Sequence, residues 1–269
     1  MVWLSGIVEY EQAEQILQRV GQMEVSDSSI WRQVQQWGQN FQELFEVERI
    51  RANLLPGRWG APWRKAEPKG RMGVAMDGTL IYIRDEGWKE LKLGSIFDVE
   101  VRATRDRETG EWANLAHAAN NSYTAHLGGK EHFGQMVWAE AHRRDWEQAA
   151  DTEVLGDGAP WIWNLAIDHF YDSHQVVDWY HAVEHLTDAA RWLKGEETLA
   201  AKRWFNAQET TLFEGHADRI ALDLLAAAQD QPEVAHKLKK ESGYFYKNQR
   251  RMRYQEMRED GWAIGSGMV

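Results

Sequence analysis

Val74-Ala75-Met76-Asp77-Gly78-Thr79-Leu80-Ile81-Tyr82-Ile83 is a β-prone run with an aspartate at its centre. Branched and aromatic residues favour a strand. A carboxylate inside an apolar strand is costly unless it meets a cation or leaves the strand into a cleft. A second aspartate has a comparable setting. Glu153-Val154-Leu155 reads as a short strand running into Gly156-Asp157-Gly158, and Pro160 opens a helix at a favoured first-turn position. The carboxyl ends of strands are where α/β sheets gather ligand-binding groups. Gly-flanked aspartates are also common turn residues, so Asp157 taken alone reads as a turn. Taken together, Asp77 and Asp157 offer the hard oxygen ligands that Mg²⁺ (or Mn²⁺) prefers. Two such ions about 4 Å apart activate a nucleophile and steady a leaving oxygen in phosphoryl transfer.

Reading outward from Asp77, Trp88 begins two further strand-like runs, WKELKLGSIF and DVEVRAT, and Arg105 to Gly110 reads as a turn. A helix is expected from Lys130 to Ala150, a short strand at Val176-Val177, and a long helix from Asp178. Beyond Leu193 the chain reads as helical to Arg258. Three strands, then helix, strand, helix, strand, helix describe an α/β domain whose sheet starts antiparallel.

Residues up to about Leu55 read as helical. Ala13, Ile16, Leu17 and Val20 share a face, and Gly21 offers a stop. Ser26-Asp27-Ser28 can cap a second helix, on which Ile30, Val34, Trp37, Phe41 and Leu44 form an apolar stripe. This is the outline of a helix-turn-helix, with Arg32, Gln33, Gln35, Gln36 and Gln39 available to DNA. It is equally the outline of a helical hairpin built for packing or dimerisation. Leu54 to Gly73 reads as a linker, because it holds Pro56, Pro62 and Pro68 among the chain's five prolines.

The chain has 269 residues, a net charge of −11 and no cysteine. Disulfides, a disulfide-linked partner, thiolate metal sites and a cysteine nucleophile are thereby excluded. No apolar run approaches the roughly 20 residues of a membrane span, and the N-terminus lacks the pattern of a signal peptide. The expected compartment is the cytoplasm. The net charge opposes a passive coat for nucleic acid, but its distribution is uneven. Ala139 to Ala190 carries 11 acids and 2 Lys/Arg, whereas His236 to Arg258 carries 8 Lys/Arg and 2 acids. Metal in the first region and phosphate in the second would suit that pattern, as would ordinary surface patches.

On a helix, Asp178, His181 and His185 share one face. His181 to His185 also spells H-x-x-E-H, the pattern of inverted zinc metallopeptidases. Nothing in the sequence marks a third zinc ligand, and His181 bonded to a carboxylate beside a cleft is the simpler reading. The 15 tryptophans read mainly as core, with base stacking open to an exposed few.

At these residues the chain resembles bacterial insertion-sequence transposases, the Kra-type group within the Mutator-like DDE enzymes. The likeness runs from about Gly73 onward through VAMDGTLIYIRDEGWKELKLGSIF, TEVLGDGAPWIWNLA, QVVDWYHAVEHL and YFYKNQRRMRYQEMREDGWAIGSGMV. VSDSSIWRQVQQWG is less similar to the family's N-terminal helical region. The resemblance implies an RNase H-like mixed sheet flanked by helices, an Asp-Asp-Glu triad and two Mg²⁺. Asp77 matches the first acid and Asp157 the second, while Asp178 and His181 match the D-x-x-H signature that follows. Residues 1–55 would be the helical region, 56–72 a basic linker, 73–192 the catalytic core, 193–258 a helical insertion and 259–269 the start of the final motif. The implied partner is double-stranded DNA, bound by a homo-oligomer in the bacterial cytoplasm.

In the family the Gly-Ser-Gly motif leads after two residues into the catalytic Glu. Here Gly265-Ser266-Gly267 is followed by Met268 and Val269 only. Glu256 and Glu259 do not occupy the matching position, so the third acid has no residue among the 269. The chain is therefore expected to lack strand transfer by itself. A rival expectation is a non-catalytic remnant that binds DNA or oligomerises. It would use the N-terminal helices and Lys237, Lys239, Lys240, Lys247, Arg250, Arg251 and Arg253, a stretch that also suits a solvated helical face.

Overall fold

Arg71 to Ile83 forms strand β1, in which Met72, Val74, Ala75 and Met76 are buried and the residues beyond Gly78 emerge toward solvent. The computed structural model describes residues 1–54, 70–105 and 110–265. It divides into two units, Met1–Leu55 and Pro56–Val269. The prolines expected to mark the linker lie outside the described residues, as do the central residues of the turn expected before Gly110. Arg71, Met72 and Gly73, read as the end of the linker, belong to β1.

In the second unit β2 (Gly87–Arg105) and β3 (Trp112–Leu127) follow β1. Then come α4 (Lys130–Arg143), β4 (Thr152–Gly156), α5 (Pro160–His169), β5 (His174–Val177) and α6 (Trp179–Lys194). The five strands form one mixed sheet of order β3-β2-β1-β4-β5. β1, β2 and β3 are antiparallel neighbours, β4 runs parallel to β1, and β5 runs parallel to β4. The architecture is therefore α/β, with a mixed sheet flanked by helices.

Two features of the antiparallel half differ from the sequence reading. The expected break between Phe97 and Asp98 is a β-bulge inside one continuous strand. The extra residue sits on β3, where Asn120 takes a left-handed φ of 52° and donates to Asp98 Oδ2 at 2.8 Å. Arg144, just past α4, donates to the Ile96 carbonyl and to Asp98 Oδ1, pinning the bulge from the side. β3 itself was not anticipated. Its sequence, WANLAHAANNSYTAHL, is rich in Ala and Asn, which have poor strand propensity, and pairing to β2 overrides that preference.

The sheet's core explains three of the glycines. Gly73 pairs with Phe97, whose ring lies across it, and a Cβ at Gly73 would sit 2.2 Å from Phe97 Cζ. Gly94 faces Phe133 and Val137 of α4, and Gly156 faces Ile162 of α5, so both helices pack onto one face of the sheet. Below them Trp146 and Phe170 meet edge to face at 5.0 Å, with Trp138 5.8 Å from Phe170. After α6 the chain is helical as expected: α7 (Leu199–Phe213), α8 (Ala217–Asp230), α9 (Ala235–Asn248) and α10 (Tyr254–Glu259). Tyr254 and Phe213 close on Trp179 at 4.8 and 5.8 Å.

The first unit holds α1 (Val2–Ser5), α2 (Tyr10–Arg19) and α3 (Asp27–Leu54). Ser26 Oγ accepts from the Ser29 amide at 3.3 Å, the capping role expected of it. The connection from Val20 to Ser26 is longer than the three or four residues usual in a helix-turn-helix. Of the expected stripe on α3 only Ile30 is fully buried, while Trp37, Phe41 and Leu44 are about half exposed. No helix among the described residues is long and apolar enough to cross a membrane.

Gly73 offers the sharpest test of this packing. Gly73→Ala should destabilise the chain by about 1–3 kcal/mol through overpacking against Phe97, measured by urea unfolding. Adding Phe97→Leu should recover part of the loss, because the obstructing ring edge is then gone.

Candidate active site

Three aspartates stand on three neighbouring strands at one level of the sheet: Asp157 and Asp178 directly follow β4 and β5, and Asp77 lies inside β1 where its pairing with β4 stops. Asp77 lies one residue past the last β1–β4 pair, Met76 with Gly156, and Asp157 follows Gly156 directly. Asp178 follows Val177, which pairs with Gly156 from the other side. The Asp178 amide donates to the Gly156 carbonyl at 2.8 Å, extending the β5–β4 ladder by one bond. The adjacency of Asp77 and Asp157 on one sheet agrees with the sequence reading.

Each carboxylate is fixed by nearby backbone. Asp77 Oδ1 accepts from the Gly78 amide at 2.7 Å, and Asp157 Oδ1 from the Ala159 amide at 2.7 Å, just ahead of Pro160. Asp178 caps α6, its Oδ1 accepting from the His181 amide at 3.0 Å. It is the most enclosed of the three, with only 1% of its surface exposed.

His181 is the cation these acids share. Its Nδ1 lies 3.4 Å from Asp178 Oδ1, and its pKa is raised to about 9, by Asp178 first and then by Asp157 and Asp77. Burial works against that rise but does not overcome it. Asp157 has its own pKa raised, chiefly by burial and further by Asp77, while Ala159, His181 and His185 oppose the rise. Two carboxylates that repel one another in a half-buried setting are the arrangement a divalent cation relieves. Among the described residues no three His, Asp or Glu side chains converge into a complete metal site. Asp77 and Asp157 fit as two oxygen ligands of a set that needs a third.

His185 does not join His181 as a zinc pair would. Its Nδ1 is bonded to Glu241 of α9, and its ring stacks on Tyr244 at 3.6 Å. Neither Glu241 nor Tyr244 was singled out by sequence reasoning. Tyr244 Oη donates to the Asp157 carbonyl at 3.0 Å, and burial among acids keeps its hydroxyl protonated. Gly158 has a φ of 98°, and a Cβ there would lie 2.7 Å from the Tyr244 ring, so glycine is required on both counts. The partners lie 87 and 56 residues apart in sequence, which no local spacing could have signalled.

The basic residues expected on one face are divided by the fold. Lys237, Lys239, Lys240 and Lys247 are all exposed, spread over the side of α9 away from its buried Leu238, Ser242 and Phe245. Lys237 Nζ lies 5.2 Å above Trp192. Arg250 is exposed beyond α9. Arg251 is partly buried, donating to Gln175 at 2.7 Å and lying 4.4 Å above Trp163. Arg253 is paired with Glu256, and Glu259 accepts from Gln255, so neither glutamate turns toward the aspartates.

After α10 the chain returns to the site. Arg71 lies 4.6 Å above the Trp262 ring, and the Ile264 carbonyl accepts from the Trp179 amide at 2.8 Å. A Cβ on Gly265 would lie 2.9 Å from the Tyr180 ring and 3.9 Å from Asp178 Oδ2. Ser266 to Val269 lie outside the described residues. The chain matches no protein-family model and no curated protein.

The raised His181 value fixes a pH dependence. Its stabilising contribution is complete below the ordinary value of 6.5 and is lost as pH rises through about 9. Thermal stability of the metal-free chain should decline across that interval, and His181→Gln should flatten the decline. An unchanged pH profile in the variant would remove His181 from its role as the shared cation.

Proposed function

We propose that the chain is a DDE-type transposase with an RNase H-like core, acting on the DNA ends of an insertion sequence. The observation that carries this reading is that Asp77, Asp157 and Asp178 stand at one level of β1, β4 and β5, with His181 beside Asp178 and its charge favoured by all three acids. It is supported by the mixed sheet order, with an antiparallel β1–β2–β3 half and parallel β4 and β5, and by the D-x-x-H spacing of Asp178 and His181. Helices α7 to α9 then correspond to the insertion that precedes the third acid. The approach of Gly265 to Asp178 agrees with a third acid contributed a few residues farther on.

In this reading Asp77 and Asp157 would hold Mg²⁺ or Mn²⁺, which would supply activation of the attacking oxygen and stabilisation of the leaving one. The nucleophile is water for strand cleavage and a DNA 3′-hydroxyl for strand transfer. Asp178 holds the His181 imidazolium at the edge of the acidic cluster, where it offsets negative charge. Tyr244 and Gly158 keep the Asp157 turn against α9. Lys237, Lys240 and Lys247 offer phosphate contacts whose strength falls as salt rises. A non-catalytic role in DNA binding or oligomerisation is the second reading, favoured by the exposed Trp37, Phe41 and Leu44 of α3.

A cleavage assay on labelled element-end DNA with Mn²⁺ separates the two readings. The 269-residue chain should give no strand transfer, because one of three carboxylates is not among its residues. A version extended after Val269 by an added helix that supplies a Glu at the position the resemblance implies should cleave. Asp77→Asn in that version should lower the rate a hundredfold or more, the usual scale for losing a group that stabilises the transition-state charge. Cleavage that survives Asp77→Asn would overturn the assignment.

A further inference from the structure

Asp157 stands in Gly156-Asp157-Gly158, with a φ of 98° at Gly158. Glycine on both sides leaves a turn many alternative conformations, so a cation ligand placed there must be fixed from outside. Two bonds to its flanking carbonyls do so. The Gly156 carbonyl accepts from the Asp178 amide at 2.8 Å, which ties the turn to the end of β5. The Asp157 carbonyl accepts from Tyr244 Oη at 3.0 Å, which ties it to α9, 87 residues later in the chain. The same residues fill the space beside Gly158. A Cβ there would lie 2.7 Å from the Tyr244 ring and 3.0 Å from Asn248 Nδ2.

Tyr244 is itself held in place. His185 of α6 stacks on its ring at 3.6 Å, and His185 Nδ1 is bonded to Glu241, one turn earlier on α9. Asn248, one turn later, donates to the Tyr244 carbonyl at 3.1 Å. Glu241 is buried, with only 1% of its surface exposed. Burying a carboxylate is costly, and apolar side chains of similar volume often pack two helices as well as an ion pair does. What the Glu241–His185 pair adds is a fixed direction for the imidazole, and through stacking a fixed place for the Tyr244 ring. Helix α9 is anchored away from the acids as well. Leu238 and Phe245 are buried, and Ser242 Oγ donates to the Ala221 carbonyl of α8 at 2.7 Å. Tyr244 therefore links a firmly packed helix to the backbone of Asp157.

We propose that Tyr244, set by Glu241 and His185, is the positioning residue that gives the Asp157 turn its affinity and selectivity for a small divalent cation. The proposal rests on the reading of Asp157 as a cation ligand, and it assigns part of that site's strength to α9. Mg²⁺ demands nearly ideal octahedral ligands, whereas the larger Ca²⁺ accepts irregular sets. Once its carbonyl is released from Tyr244, the turn can move among the conformations its glycines allow. That loss of order falls on Mg²⁺ before it falls on Ca²⁺.

The experiment follows free Mn²⁺ by electron paramagnetic resonance in the presence of the full chain, with Mg²⁺ or Ca²⁺ added as competitor. Asp157→Asn identifies the share of ion bound at this site. Tyr244→Phe keeps the ring and its stacking on His185 and removes one hydroxyl. It should weaken Mg²⁺ binding about tenfold, the low end for losing an outer partner of a metal ligand, and change Ca²⁺ binding little. Glu241→Leu should weaken Mg²⁺ binding in the same sense. Glu241→Gln, whose oxygen still accepts from the imidazole, should restore most of it. Thermal melting accompanies each variant, and Tyr244→Phe decides alone if Glu241→Leu does not fold. A purely structural role would lower the melting temperature and leave the ratio of Mg²⁺ to Ca²⁺ affinity unchanged. If the wild-type chain binds Mn²⁺ through Asp157 and Tyr244→Phe keeps that ratio, the positioning role is refuted and the cation site stands. If the wild-type chain binds no Mn²⁺ through Asp157, the cation reading fails and the proposal falls with it.

Discussion

Three carboxylates at one level of three adjacent strands are an electrostatic liability, and much of the surrounding architecture manages it. Strand pairing creates the problem: β1, β4 and β5 run parallel, so Asp157 and Asp178 leave β4 and β5 beside Asp77 of the longer β1. Each acid receives a backbone amide from its own turn or helix start. Such bonds to a charged acceptor are stronger than neutral ones. His181 then supplies one positive charge to all three. What remains is a half-buried negative cluster that a divalent cation would neutralise.

The helices of the C-terminal half act on the same cluster from outside the sheet. Tyr244 holds the Asp157 carbonyl and stacks on His185, and Glu241 holds the other side of that imidazole. Helix α9 therefore faces the acids with Tyr244, His185 and Glu241 between them, while its lysines lie on the exposed arc. The segment from Trp262 to Gly265 performs a related task. It crosses β5, bonds the Trp179 amide and reaches the Asp178 carboxylate. A fourth acid, Glu153, is fully buried beside this segment, and burial raises its pKa well above the ordinary value. It enters the sheet as a neutral acid with the Ala263 backbone and Arg71 as its favourable neighbours.

Much of this was legible in the residues, for identifiable reasons. Asp77 could be found because a charge within an apolar strand breaks a local rule, and Asp157 because it follows a short strand where α/β sheets gather ligand-binding groups. Pro160 and the Asp178 cap mark their helix starts through local chemistry, and both helices begin there. The reading failed where tertiary pairing outweighs propensity. β3 has little strand character of its own, and β2 continues through Phe97-Asp98 because Asn120 and Arg144 pin a bulge there. Helicity was read correctly in α3, and its apolar stripe, which suits packing or dimerisation, is mostly exposed. Contacts such as Tyr244 with Asp157, or Glu241 with His185, depend on helix docking. They have no trace in spacing along the chain.

The central claim is that Asp77 and Asp157 together bind a divalent cation beside His181. The direct measurement is an NMR titration of the full chain with Mn²⁺, following the ring protons of His181 and of the distant His117. Paramagnetic broadening falls steeply with distance, so His181 should broaden at low Mn²⁺ while His117 stays sharp. The effect should vanish in both Asp77→Asn and Asp157→Asn. Uniform broadening of both histidines, or selective broadening that survives the two substitutions, would contradict the account.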